Sequence, residues 1–320
     1  MRAGSAIIAL LLAASTSAAA AADRVVVGKA SSTAFSFAPV EVGIETGIFA
    51  KNGIDVQKVD LEGSAKLHQA MAAGSLDFGL GSGPDMIFEI KGSPEMVVAA
   101  MAGPPLLLSL IVPWDSPIKS PDQLRGKRVG ISTVNSLTQW LVLELARQHG
   151  WAPDDITYVT VGASSAPHIA ALATGQLDAV VSATGLGLQL EAQKRGRILI
   201  RCSDIVKDFM IHAIYASRKM VDERPETVRR FLAGWFETIA FMRQHKAETV
   251  RIVRPVTGFS ESIENEEYDI VMPMFSPDGK FSARAMAVLQ RSFVDLHLLD
   301  KEPDLSKYYT EKFLPKTATQ

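Results

Sequence analysis

The sequence predicts an α/β fold built as two similar lobes, and three observations carry that expectation. Short β-branched runs alternate with longer amphipathic segments, the pattern of parallel strands joined by crossover helices. The alternating unit occurs twice, about a hundred residues apart. A helical region follows the second unit, and 320 residues suit about two domains of roughly 150 each.

The elements follow in order. Residues 25–27 read as a first strand, and Val40, Ile44 and Ile48 recur at helical spacing over residues 38–51 before Asn52-Gly53 closes the helix. A strand over 54–59, a helix over 67–73 stopped by Gly74, a strand over 76–80, a short helix over 85–91 and a strand over 96–101 complete the first unit. Setting Gly74 over Gly175 aligns Met71-Ala72-Ala73-Gly74-Ser75-Leu76-Asp77 with Leu172-Ala173-Thr174-Gly175-Gln176-Leu177-Asp178, an offset of 101 residues that also sets Ser64 over Ser165. Residues 24–28 resemble 128–132, a helix over 137–150 shows Leu137, Leu141 and Leu145 on one side, and strand 156–161 matches 54–59. Residues 198–200 and 212–217 read as further strands. Beyond them, Val228, Phe231, Trp235, Ile239 and Met242 form one stripe, predicting a long amphipathic helix over 227–253. The acidic group Glu261, Glu264, Glu266, Glu267 and Asp269 reads as a solvated face. The simplest path leaves the first lobe near Gly103-Pro104-Pro105, builds the second and returns near His212. Lobe one is then 23–105 with 213–320, lobe two is 106–212, and the two crossings make a hinge.

Composition excludes several classes. With 47% hydrophobic and 21% charged residues the chain is globular rather than disordered. Its 33 basic and 35 acidic residues are balanced, and no basic stretch offers a footprint for nucleic acid. Arg2, the apolar residues 7–14 and the alanine run 18–22 read as a signal peptide cleaved after Ala20 or Ala22, too short in its apolar part to span a bilayer. The mature chain is therefore expected outside the cytoplasm, as a monomer with no membrane insertion. Cys202, the single cysteine, allows no intrachain disulfide or C-x-x-C site and reads as a small buried hydrophobe.

Enzyme signatures are missing. There is no G-x-S-x-G elbow, H-E-x-x-H or P-loop, and Gly79-Leu80-Gly81-Ser82-Gly83 has the wrong spacing for a dinucleotide fingerprint. No histidine has a local metal-ligand partner, and His68 and His168, each in the first turn of a helix, read as structural. No catalysis, cofactor or metal is expected. What is present is a set of hydroxyl-rich turns at carboxyl ends of strands: Ser31-Ser32-Thr33, Gly63-Ser64 and Gly81-Ser82-Gly83, then Ser132 to Ser136, Gly162-Ala163-Ser164-Ser165 and Ser182-Ala183-Thr184. Singly these are N-caps, and Ser136 with Gln139 forms a capping box. Together they outline one cleft, because open α/β sheets bind ligands at that edge and helices starting there aim positive dipole ends into it.

Residues 37–83 resemble the first-lobe signature of solute-binding proteins of nitrate, sulfonate and taurine-type ABC importers, a group that includes binding proteins for thiamine precursors. The marks are Ala38-Pro39, Glu45-Thr46-Gly47-Ile48-Phe49, Gly53-Ile54-Asp55-Val56 and Ala73-Gly74-Ser75-Leu76-Asp77. Leu124-Arg125-Gly126-Lys127-Arg128-Val129-Gly130 and Ala173 to Asp178 extend the likeness to the second unit. It covers the mature chain well to about residue 217 and the helical tail loosely.

The resemblance implies a type II periplasmic-binding fold that closes over a small polar or anionic solute and hands it to an ABC permease. Carried over by position, Ser32, Thr33, Ser64 and Ser82 of lobe one and Ser132, Asn135, Ser136 and Thr184 of lobe two are hydrogen-bonding candidates, with Phe35 offering an apolar face. Lys29 and Lys66 are the nearest cations, so a neutral or aromatic-carboxylate ligand stays open beside sulfonate and nitrate. A sensor subunit for a receptor kinase, or an enzyme on the same fold of the thiamine-pyrimidine or menaquinone-pathway type, are the alternatives. The former shares the capture step, and the pyrimidine synthase needs a cysteine-rich motif that one cysteine cannot supply.

Overall fold

The structure, a computed structural model, describes residues 22–103 and 107–316. The signal segment, except for Ala22, and the prolines of the expected first crossing lie outside the described residues.

Among the described residues, ten strands form two five-stranded sheets. The first contains β1 (Asp23–Lys29), β2 (Ile54–Asp60), β3 (Phe78–Ser82) and β4 (Glu95–Ala102). The second contains β5 (Leu108–Pro113), β6 (Arg128–Ile131), β7 (Thr157–Thr160), β8 (Ala179–Ala183) and β9 (Gly196–Arg201). A last strand, β10 (His212–Ser217), returns to the first sheet. The orders are β2-β1-β3-β10-β4 and β7-β6-β8-β5-β9. In each sheet the strand that enters from the other runs antiparallel to its neighbours: β10 pairs with β3 and β4, and β5 with β8 and β9. The remaining pairs of β1 to β3 and of β6 to β8 are parallel, as crossover helices require. This is a two-lobed α/β architecture whose halves share one topology.

The repeated motif explains that likeness. The helices Ser64–Ala72 and Ser165–Ala173 superpose in sequence at the offset of 101, and each is followed by a glycine in the left-handed region, Gly74 at φ 70° and Gly175 at φ 69°. Leu76 and Leu177 then plug against the bare backbones of Gly28 and Gly130, whose added Cβ atoms would lie 2.5 Å from the leucine methyls. Asp77 Oδ2 accepts the amide of Val26 and Asp178 Oδ2 that of Arg128, each at 2.8 Å. The A-x-G-x-Leu-Asp element is therefore a staple that fixes one strand against the next, and its residues hold the scaffold rather than the ligand.

Several expectations need correction. The helix expected over 38–51 breaks at Gly47 (φ 73°) into Pro39–Glu45 and Ile48–Lys51, and the helix expected over 227–253 breaks at His245 into Pro225–Gln244 and Lys246–Thr257. The acidic group is not uniformly solvated: on the helix Glu261–Val271, Glu264 and Glu267 are buried, facing inward at a helical spacing of three. That helix packs on Thr184–Ala192 of the second sheet, with Phe259 and Ile263 joining Leu186 and Leu188 in a shared apolar cluster. The helical tail thus touches both halves.

Candidate functional site: a hydroxyl-lined cleft between the two sheets

Strand direction decides what reaches the cleft. The parallel strands β1, β3, β6 and β8 bring their carboxyl ends there, while the antiparallel β5 and β10 bring their amino ends, so Leu107, Leu108 and His212 join the turns after the other strands. The resulting cavity measures about 100 Å³. Its first-sheet wall includes Ser31, Thr33, Ser36, Phe37, Ser64 and Ser82. Its second-sheet wall includes Ser132, Ser136, Thr138, Ser165, His168 and Ser182. Leu107, Leu108, Leu137 and Val181 supply apolar surface.

The two walls touch. Ser31 Oγ donates across the cleft to the carbonyl of Ala163 at 2.9 Å. A Cβ on Gly63 would stand 2.9 Å from Thr133 Cγ2, and with φ at 101° only glycine serves there. The halves are therefore seen in a closed arrangement.

Of the candidates read from sequence, Thr33, Ser64, Ser82, Ser132 and Ser136 lie on the cavity wall. Phe35, Ser32, Asn135 and Thr184 lie off it. Phe35 is fully buried against Tyr268 and Phe275, and Phe37, two residues on, is the aromatic of the cavity. Ser32 turns to Glu62, its Oγ donating at 3.2 Å. Asn135 stands exposed at φ 64° with its amide donating to Gln139 Oε1. Thr184 donates to the carbonyl of Leu107 and pairs with Ser109, each at 2.8 Å, inside the second sheet. Neither lysine reaches the cavity: Lys29 is buried between Glu41 (2.5 Å) and Asp60 (2.9 Å), and Lys66 is exposed. No Arg, Lys, Asp or Glu is among the described residues that line it.

Two polar groups on the wall lack partners. Ser36 Oγ and His212 Nδ1 are buried without hydrogen bonds among the described residues. Such orphans cost about 1–3 kcal/mol each when nothing pairs with them, so they mark where a ligand's polar atoms fit. Burial lowers the His212 pKa to about 4 although Asp85 opposes it, so the ring is neutral at pH 7 and stacks edge-on to Phe37 at 4.8 Å.

Behind Ser82 lies a buried polar group. His68 Nδ1 is 2.9 Å from Glu95 Oε2, and Nε2 is 3.4 Å from Asp85 Oδ2, an ion-pair distance rather than a well-formed hydrogen bond. Burial alone would lower the His68 pKa, but Asp85 and Glu95 raise it to about 9, so the ring is an imidazolium. Burial pushes the carboxyl of nearby Glu89 well up, helped by Glu95. Tyr215 of β10 closes the group, its hydroxyl donating to the Ser82 carbonyl at 2.7 Å.

Two similar lobes of shared topology, each a mostly parallel sheet flanked by helices, meeting at a ligand-sized cleft: this is the periplasmic-binding-protein fold. The chain belongs to the NMT1/THI5-like family, whose pattern matches residues 34–249. A Haemophilus influenzae protein named for thiamine biosynthesis is 30% identical over 46% of this chain and 45% of its own length. A Brucella abortus protein named as a binding protein is 28% identical over 66% and 65%. The matches thus span less than two thirds of these relatives. Among solved structures, the alkanesulfonate-binding protein SsuA of Xanthomonas axonopodis bound to MOPS superposes with a TM-score of 0.78 at 17% identity, covering 90% of this chain and 98% of its own. The periplasmic aliphatic sulphonate binding protein SsuA of Escherichia coli gives 0.72 at 20% identity, over 90% and 92%. The desulfurization enzyme DszB gives 0.64 at 16% identity, over 91% and 97%. These likenesses establish the fold. No helix of the described residues is long and apolar enough to cross a membrane.

Proposed function

We propose that this chain captures a small organic solute in the interlobe cleft, outside the cytoplasm, and delivers it to the permease of an ABC importer. The carrying observation is the cavity roofed by both sheets and edged by the orphaned Ser36 and His212. Helices beginning at Ser64, Leu137 and Ser165 aim their unpaired first amides at the space, which favours an acceptor or anionic group at one end of the solute. Phe37, Leu107 and Leu137 favour an apolar body. The lobes, 23–105 with 213–320 and 106–212, close because the solute bonds to both at once and therefore prefers the closed state.

The sulfonate-binding names of the structural neighbours and the thiamine-biosynthesis name of one relative support this reading of the class. An enzyme reading draws less support, since Cys202 is fully buried, burial pushes its thiol far up, and it does not line the cavity. The test is a thermal-shift screen of the purified chain against sulfonates, nitrate, thiamine precursors, aromatic carboxylates and amino acids. Ligand at a hundred times its Kd adds about 2.7 kcal/mol of stability. Stabilisation by one class, with uptake of that solute lost when the gene is deleted, is the expected result. Stabilisation with uptake intact points to a receptor-kinase partner, and no stabilisation by any class refutes solute capture.

A further inference from the structure

Four of the cavity hydroxyls have no proton to offer a ligand. Ser82 Oγ donates to Asp85 Oδ1 at 2.6 Å, Ser31 Oγ to the carbonyl of Ala163 at 2.9 Å, and Ser136 Oγ to the carbonyl of Thr133 at 2.7 Å. Ser182 follows from the histidine beside it. His168 Nε2 lies 2.9 Å from the carbonyl of Gly162, which only accepts, so Nε2 carries the proton; burial lowers the pKa of the ring and keeps it neutral. Its Nδ1 is then bare, and Ser182 Oγ, 2.8 Å away, donates to it. A carboxylate, two carbonyls and a bare ring nitrogen cannot return a proton. Ser31, Ser82 and Ser182 therefore show the cavity lone pairs alone, while those of Ser136 are taken by the Ser132 hydroxyl at 3.1 Å and the Gln139 amide at 3.4 Å.

The pattern is built on both sheets. Ser82 ends β3 and its acceptor Asp85 is braced by the imidazolium of His68; Ser182 sits in β8 and its acceptor His168 is braced by Gly162. A bare oxyanion placed between them meets lone pairs from two sides. From this geometry we propose that the site selects a solute bearing N–H donors, of the amino or amido class, and that Ser82 and Ser182 are its specificity-determining acceptors. The solute's own acceptor end lies toward the helix starts at Ser64 and Ser165. The inference rests on the solute-capture reading and narrows it.

The experiment is a thermal-shift screen of the purified chain with several hundred polar metabolites, followed by calorimetric titration of each stabilising compound and of its analogue with N–H replaced by N-methyl or oxygen. Every stabilising compound is expected to carry an N–H donor and to bind at least tenfold more tightly than that analogue. In Ser182→Ala, checked for an unchanged circular-dichroism spectrum, the same replacement is expected to matter less than threefold. A stabilising compound without donors, or an analogue that binds as well as its parent, overturns the donor inference while leaving solute capture standing. Absence of any stabilising compound overturns both.

Discussion

The buried imidazolium of His68 makes a quantitative claim about pH. His68, Asp85 and Glu95 are each about 1% exposed, so neither solvent nor salt screens the group. A rise of the His68 pKa from 6.5 in the unfolded chain to about 9 corresponds to about 3 kcal/mol of folding stability. Because the folded value is the higher one, that stability is fully present below pH 6.5 and is lost as pH climbs through 9. His68→Leu removes the cation and leaves two buried carboxylates without it, a change expected to cost about 3 to 5 kcal/mol at pH 6.5. Urea unfolding of both proteins from pH 6.5 to 9.5, read as midpoints at constant slope, measures the difference. The wild type should weaken across this range and the variant much less, so that the two curves approach each other at the alkaline end. A variant within 1 kcal/mol of wild type at pH 6.5, or a flat wild-type curve, would falsify the assignment of a charged His68.

Three further outcomes follow from the same packing. Gly83→Ala sets a Cβ 2.0 Å from the carbonyl oxygen of Met210, a backbone atom that has to move, and should cost about 3 kcal/mol in urea unfolding; a loss below 1 kcal/mol contradicts the contact. Phe35→Ala and Phe37→Ala should each lower stability by about 3 to 5 kcal/mol, while Phe37→Ala alone should also weaken binding of whichever solute the screen identifies; equal effects on affinity would place Phe35 in the cleft after all. Burial raises the Glu264 carboxyl to about 7 against the hydrogen bond from Thr257, so its stabilising neutral form is present below pH 4.5 and lost as pH rises through 7. Since the group is buried, Glu264→Gln should gain about 3 kcal/mol at pH 8 relative to its effect at pH 4.5, and a pH-independent effect refutes the burial argument.

Much of the scaffold is legible in the sequence because it rests on local rules. Gly74 and Gly175 are left-handed stops, and the aligned Leu-Asp pairs serve as identical staples, so matching strings meant matching structure. The strand β10 lies where its β-branched and aromatic run places it, at residues 212–217. The strand β5 escaped notice because its apolar run continues from β4 across prolines that blur the boundary. The site is less legible for a different reason. Reading ligand contacts from carboxyl ends of strands misses residues delivered by the amino ends of antiparallel strands, which is how His212, Leu107 and Leu108 arrive. Phe35 and Phe37 are both buried aromatics of one short turn, and only the phase of that turn decides which of them also lines the cavity. Charge alone points Glu264 and Glu267 outward, whereas the apolar neighbours Ile263 and Tyr268 draw that side of the helix inward.

The exchange of strands also sets an order in time. All five strands of the second sheet come from residues 108–201, a continuous stretch, so that sheet has every strand it needs once residue 201 has been made. The first sheet is begun earlier and finished later: β3 and β4 are separated by a slot that only His212–Ser217 fills, and until then both present unpaired edges. During synthesis β3 and β4 therefore wait longest for their shared partner, and this interval is when a holding chaperone or an aggregation-prone neighbour would find them.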